Sequence, residues 1–123
     1  MDNENIRKIK QVLPSDLMAR GISLESMGIH EYVWRGKDAL AIIDILTKNR
    51  IPILGGDVYS YQDSEFRATV DGWYVKSRYD YESAEAFLKD SQRKAIEYIK
   101  MYTQKRGENY YFSFVVYTFP LGN

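Results

Sequence analysis

Residues 82 to 106 constrain the fold most. Ala84, Leu88, Ser91, Ala95, Ile99 and Tyr102 recur every three or four positions while charges fill the remainder, which gathers the apolar side chains on one stripe of a helix. Asp80, Glu82 and Glu85 stand at its start, Lys100, Lys105 and Arg106 near its end, and Gly107 follows, so the charges complement the helix dipole and the glycine supplies the stop. A helix apolar along one side has to lie on something. The run that follows, Tyr110 to Phe119, is almost uniformly aromatic or β-branched, the composition of a strand buried on both faces and central in a sheet.

The rest of the chain reads as further pieces of the same kind. Ile6, Ile9 and Val12 or Leu13 fall at helical spacing over 4–12 until Pro14 interrupts them. Ser15 and Asp16 can cap a second turn through Leu17, Met18 and Ala19, with Gly21 after it. Residues 22–33, which hold Gly28 and the single histidine, His30, keep no period and read as a structured loop or short helical turns. Asp38 to Lys48 is built of good helix formers with an acid first and a lysine last, and Ile51 opens a strand after Asn49. Glu65 to Val70 alternates like a strand with one wet face; Asp71-Gly72 is a turn dipeptide, and Trp73-Tyr74-Val75 resumes, so a hairpin or a bulge is expected there. The expected architecture is α+β: helices near 4–12, 37–48 and 82–106 on an antiparallel or mixed sheet of three to five strands, forming a single domain over 1–123.

Composition narrows the chemistry. Seventeen basic residues balance seventeen acidic ones, which removes the usual electrostatic argument for nucleic-acid or anionic-membrane binding. Without cysteine there is no disulfide, thiol or thiolate-metal chemistry. The polar opening Met1-Asp2-Asn3-Glu4-Asn5 gives neither signal peptide nor membrane helix, so a cytoplasmic protein is expected. Gly55-Gly56 lacks the lysine and serine of a phosphate loop, and no serine sits in a nucleophile elbow. No catalytic residue, metal ligand or cofactor is assigned. Asp57, Asp63, Glu65 and Asp71 are the carboxylates that a small enzyme, with or without a metal, would use, although their spacing fixes no common point.

The charges are segregated along the chain. From Asp57 to Glu85 seven acids face Arg67, Lys76 and Arg78, a net of minus four, while Lys89 to Arg106 carries plus four. Eleven tyrosines are many for 123 residues, and several fall within the acidic stretch. Asp57, Tyr59, Tyr61, Asp63, Glu65, Asp71, Trp73, Tyr74, Tyr79 and Tyr81 therefore form the candidate face for a basic protein partner, the plain alternative being a strand pair with its normal solvated side. Within Ile51-Pro52-Ile53-Leu54-Gly55-Gly56-Asp57-Val58-Tyr59 the glycines permit a bulge or the close approach of a backbone or aromatic ring. Asp57 would then bond backbone amides, or an indole or phenol donor such as that of Trp73 or a tyrosine.

Leu54-Gly55-Gly56-Asp57-Val58-Tyr59, then Asp71-Gly72-Trp73-Tyr74, a long helix and an aromatic strand resemble, from Trp34 to Tyr117, the fortieth of the predicted immunity-protein families of bacterial polymorphic toxin systems, which carries a Gly-Gly-Asp-Val motif and a downstream tryptophan. That resemblance implies a small cytosolic bacterial protein that binds and neutralises a cognate toxin domain by occluding its active site, with no active site of its own. A regulatory module with another protein partner, or the carboxylate enzyme, are the alternatives. The first thirty residues carry no part of the likeness.

Overall fold

The computed structural model describes residues 2–122. Among them are four α-helices, α1 (Glu4–Val12), α2 (Ser15–Arg20), α3 (Gly36–Lys48) and α4 (Ala84–Arg106). Six strands accompany them: β1 (Ile22–Ser23), β2 (Tyr32–Arg35), β3 (Ile53–Gln62), β4 (Glu65–Tyr74), β5 (Tyr110–Phe112) and β6 (Val115–Val116). Every pairing is antiparallel, in the order β1-β2-β5-β3-β4, with β6 also against β3. The fold is α+β as expected, but its sheet has six strands rather than three to five and is not mixed. β1 and the first half of β2 lie in the stretch 22–33 read as loop, where strands of two and four residues are too short to show a period. The single strand expected over 110–119 is divided into β5 and β6 at Ser113-Phe114.

α4 follows its sequence signals closely. The Ser83 hydroxyl caps it by accepting from the Ala86 N–H at 3.0 Å, and Gly107 ends it at a φ of 89°. The anticipated stripe of Ala84, Leu88, Ser91, Ala95, Ile99 and Tyr102 is buried, with Phe87 added. Together with Ile42, Ile43 and Leu46 of α3 it covers one face of the sheet over Trp34, Ile53, Val58 and Phe112. The Trp34 indole N–H donates to the Leu17 carbonyl at 2.8 Å, tying α2 to the same core. A smaller cluster of Leu24, Val33, Tyr59 and Tyr111, with Phe66 against it, forms on the other face, where the segment around Leu24 covers part of the sheet.

α1 buries Ile6 and Ile9 and is fastened to the sheet by one polar side chain. Asn5 Nδ2 donates to the Phe114 carbonyl at 2.8 Å and Asn5 Oδ1 accepts from the Val116 N–H at 2.7 Å, so the asparagine amide stands in for a neighbouring strand beside β6.

The Asp71-Gly72 dipeptide does not turn the chain. The β3–β4 hairpin turns at Asp63 and Ser64, whose φ values of 53° and 63° match the two-residue hairpin loop that suits the strand twist. Asp71 and Gly72 lie inside β4, where the bulge alternative is realised: Asp57 pairs with Gly72 and Tyr59 with Ala68, so Thr69 to Asp71 all oppose Val58. The Thr69 hydroxyl fills the gap, donating to the Val58 carbonyl at 2.8 Å and accepting from the Asp71 N–H at 3.1 Å.

Candidate partner-binding surface

The two halves of the sequence signature meet across one strand pair, with Gly55 opposite Tyr74, Gly56 opposite Trp73 and Asp57 opposite Gly72. The glycines are required by that contact. A Cβ on Gly55 would lie 2.2 Å from the Trp73 carbonyl oxygen; one on Gly56 would lie 2.1 Å from the Ser113 carbonyl oxygen and 2.5 Å from the Trp73 ring. Both anticipated reasons for the pair, backbone approach and ring approach, are therefore present at once.

Side chains alternate along β4, so Trp73 and Tyr74 part company. Trp73 turns toward α4, stacking on Tyr98 at 5.1 Å and meeting Phe114 edge-on at 6.1 Å. Tyr74 emerges on the other face and is 86% exposed. Both residues line each of two depressions. One, of about 420 Å³, is lined by Leu54, Gly55, Asp57, Tyr74, Val75, Lys76 and Val115. The other, of about 340 Å³, runs between β4 and α4 and is lined by Trp73, Tyr74, Lys94, Glu97, Tyr98 and Met101.

Asp57 does not bond the Trp73 indole, contrary to the donor suggested for it: Trp73 Nε1 is buried without a partner among the described residues. The backbone N–H of Asp57 instead donates to Ser113 Oγ at 3.1 Å. Near it, burial raises the Glu31 carboxyl above the ordinary carboxylate range, against the Tyr59 hydroxyl that donates to it at 2.8 Å, and the Asp57 charge pushes the same way as burial. Tyr59 is also pushed up, by its own burial and by that hydrogen bond. Asp71 accepts from the Tyr102 hydroxyl at 2.8 Å, and burial with this bond pushes Tyr102 up to about 12.

The remaining anticipated residues are dispersed. Tyr59 is only 5% exposed and works inside the sheet. Tyr61 leans on Phe66 at 4.7 Å, while Asp63 occupies the hairpin turn and Glu65 the first position of β4. Tyr79 is 90% exposed in the 3₁₀ turn Arg78–Asp80, and Tyr81 packs on Phe87 and donates to Asp90. The surface that joins Asp57, Trp73 and Tyr74 also includes Tyr98, Met101 and Val115, which lie outside the acidic stretch in sequence. Ser113 carried a faint signal, a lone serine within an aromatic run; Glu31, in an unpatterned segment, carried none.

Charge pairing differs between the layers. Helical acids meet cations: Asp38 with Arg20, Asp44 with Lys48, Asp90 with Arg93 and Lys94. Asp57, Asp63 and Asp71 of the hairpin form no ion pair among the described residues, and Glu65 meets Arg67 only at 3.7 Å.

These features define a small α+β protein with an aromatic, acid-bearing sheet edge beside its longest helix. Residues 23–116 match the family model described as Immunity protein 40, and the chain belongs to that family. No curated protein matches it. Among the described residues no helix is long and apolar enough to cross a membrane.

Proposed function

We propose that this chain is the immunity protein of a bacterial polymorphic toxin system: it binds its cognate toxin domain in the cytoplasm and blocks it by occluding the active site, catalysing nothing itself. Residues 1–123 act as one domain, α1 and α2 included, because Asn5 and Trp34 tie those helices to the sheet. The observation that carries the reading is the placement of the family signature at a partly open surface, where the Asp57 carboxylate has no cation and the Tyr74 ring stands clear beside the half-buried Trp73. A desolvating aromatic anchor beside the unpaired Asp57 carboxylate suits a basic side chain of a protein partner, the ring supplying affinity and the charge steering encounter. Asp63, Glu65, Tyr61, Tyr79 and Tyr81 contribute at most to its periphery.

The carboxylate-enzyme reading finds less support. Asp71 is engaged by Tyr102 of α4, Asp63 and Glu65 are at the hairpin turn, and among the described residues no group of three or more His, Cys, Asp or Glu could hold a metal ion.

The test is to express the toxin domain encoded beside this gene in a bacterial host with and without the chain. Co-expression should restore growth, and the purified pair should form a complex that Tyr74→Ala weakens by about 2 kcal/mol. Growth arrest despite abundant folded chain would reject the reading.

A further inference from the structure

We propose that the partner is captured by strand addition: an extended segment of the toxin pairs with the outer edge of β4 over Gly72 to Val75, placing an arginine or lysine opposite Gly72 and apolar side chains toward α4. This rests on the toxin-binding reading above and names the mode of binding at the same site.

β4 is the long edge of the sheet, ten residues against the two of β1 at the other edge. Exposed edges invite pairing by another chain and are normally blunted by charge, proline or a bulge. The first half of β4 has such guards in Glu65, Arg67 and the bulge at Thr69–Asp71; Gly72-Trp73-Tyr74-Val75 has none. The Val75 N–H donates inward to the Leu54 carbonyl at 2.9 Å, and the Trp73 carbonyl points at Gly55. By the alternation of an antiparallel ladder, the N–H and C=O of Gly72 and Tyr74 face outward.

The surroundings specify the guest. The apolar groove between this edge and Tyr98 and Met101 of α4 would receive every second side chain of an added strand, the arrangement by which sheet-edge binders read extended peptides. On the opposite face the Asp57 carboxylate leans over Gly72, its Oδ1 only 3.2 Å from where a Cβ of residue 72 would stand. Because Gly72 has no side chain, that carboxylate is reachable from the edge, and an arginine or lysine facing Gly72 would pair with it. A second copy of this chain, which paired antiparallel about Tyr74 would also set its Lys76 opposite Gly72, is the competing guest that the experiment separates.

The experiment follows amide exchange by NMR in the free chain and in its complex with the toxin domain encoded beside it, and compares affinities of Tyr74→Ala and Tyr74→Pro. The Gly72 and Tyr74 amides should exchange freely alone and become protected in the complex. The proline, which removes an N–H that the sheet itself does not use, should bind about 10-fold more weakly than the alanine. Should Tyr74→Pro not fold, exchange in the unmodified chain decides. A wild-type complex whose edge amides stay unprotected overturns strand addition while leaving toxin binding intact; a dimeric free chain with those amides already protected overturns it in favour of self-pairing; absence of both complex and growth rescue removes the toxin reading, and this inference with it.

Discussion

Replacing Gly56 with alanine asks whether the glycines of the signature serve the fold or a visitor. The new methyl carbon would begin 2.1 Å from the Ser113 carbonyl oxygen, with Cη2 and Cζ3 of Trp73 at 2.5 and 2.8 Å on its other flank. Carbon and carbonyl oxygen settle at about 3.3 Å or more even in favourable contacts, so something must retreat by roughly 1 Å. Neither neighbour retreats easily. Ser113 is bound to the same strand twice, its N–H donating to the Asp57 carbonyl at 3.0 Å and its hydroxyl accepting from the Asp57 N–H at 3.1 Å. Trp73 is held between Tyr98 and Phe114. Overpacking costs about 1–3 kcal/mol where side chains can adjust, and an obstruction made of backbone on one flank puts this site near 3 kcal/mol. At roughly 4 °C per kcal/mol for a domain of this size, Tm should fall by about 12 °C in calorimetry.

Gly28→Ala is the matched comparison. Its φ is 76° and a Cβ there meets nothing within 4 Å, so only the left-handed backbone is penalised, at about 1 kcal/mol, or roughly 4 °C. If Gly56→Ala melts no lower than Gly28→Ala, the close approach is not what the glycine is for. The sheet would then have slack at its centre.

Two other outcomes follow from single side chains. Asn5→Ala leaves the Phe114 carbonyl and the Val116 N–H without their partner and should lower stability by about 2 kcal/mol in urea unfolding with unchanged m; a loss under about 0.5 kcal/mol would mean that α1 is not fastened to β6 through this amide. Asp90 is held down from 3.8 to about 2, first by the Tyr81 hydroxyl and then by Arg93 and Lys94. A carboxyl with a depressed native pKa adds stability that is complete above its unfolded value near 4 and disappears as pH falls through about 2. Urea midpoints measured from pH 5 to pH 2 should therefore drop less steeply in Asp90→Asn than in the unaltered chain, and parallel curves would refute the assignment.

Which parts of the molecule could be read beforehand depends on how far apart the causes lie. α4 was legible because its stripe, its caps and its charge polarity are all local, and a helix of that length repeats its evidence many times over. β1 and β2 are too short to repeat anything; Trp34 is fully buried there only because Leu17, Phe114 and α3 come together around it. Asp71-Gly72 misled for a related reason. The aspartate is kept by Tyr102 thirty-one residues away and the glycine by the Gly56 carbonyl, 2.6 Å from its absent Cβ, so both are tertiary requirements that resemble local turn chemistry.

The candidate surface was only half legible for the same reason. Grouping acids and rings by segment collects Tyr59, Tyr61 and Tyr81, which the strand pleat and the α4 packing turn to other work, and misses Tyr98 and Met101, which come from α4. What survives the folding is the register. Gly56 faces Trp73 and Asp57 faces Gly72, so the two signature segments are a single contact written in two places. The ring needs the glycine floor, the glycine floor brings the backbones together, and the bulge that precedes Gly72 sets where Asp57 meets the edge. A family signature of this form constrains the shape of the sheet edge and leaves the neighbouring side chains, Met101 and Val115, as the positions at which relatives with different partners should differ.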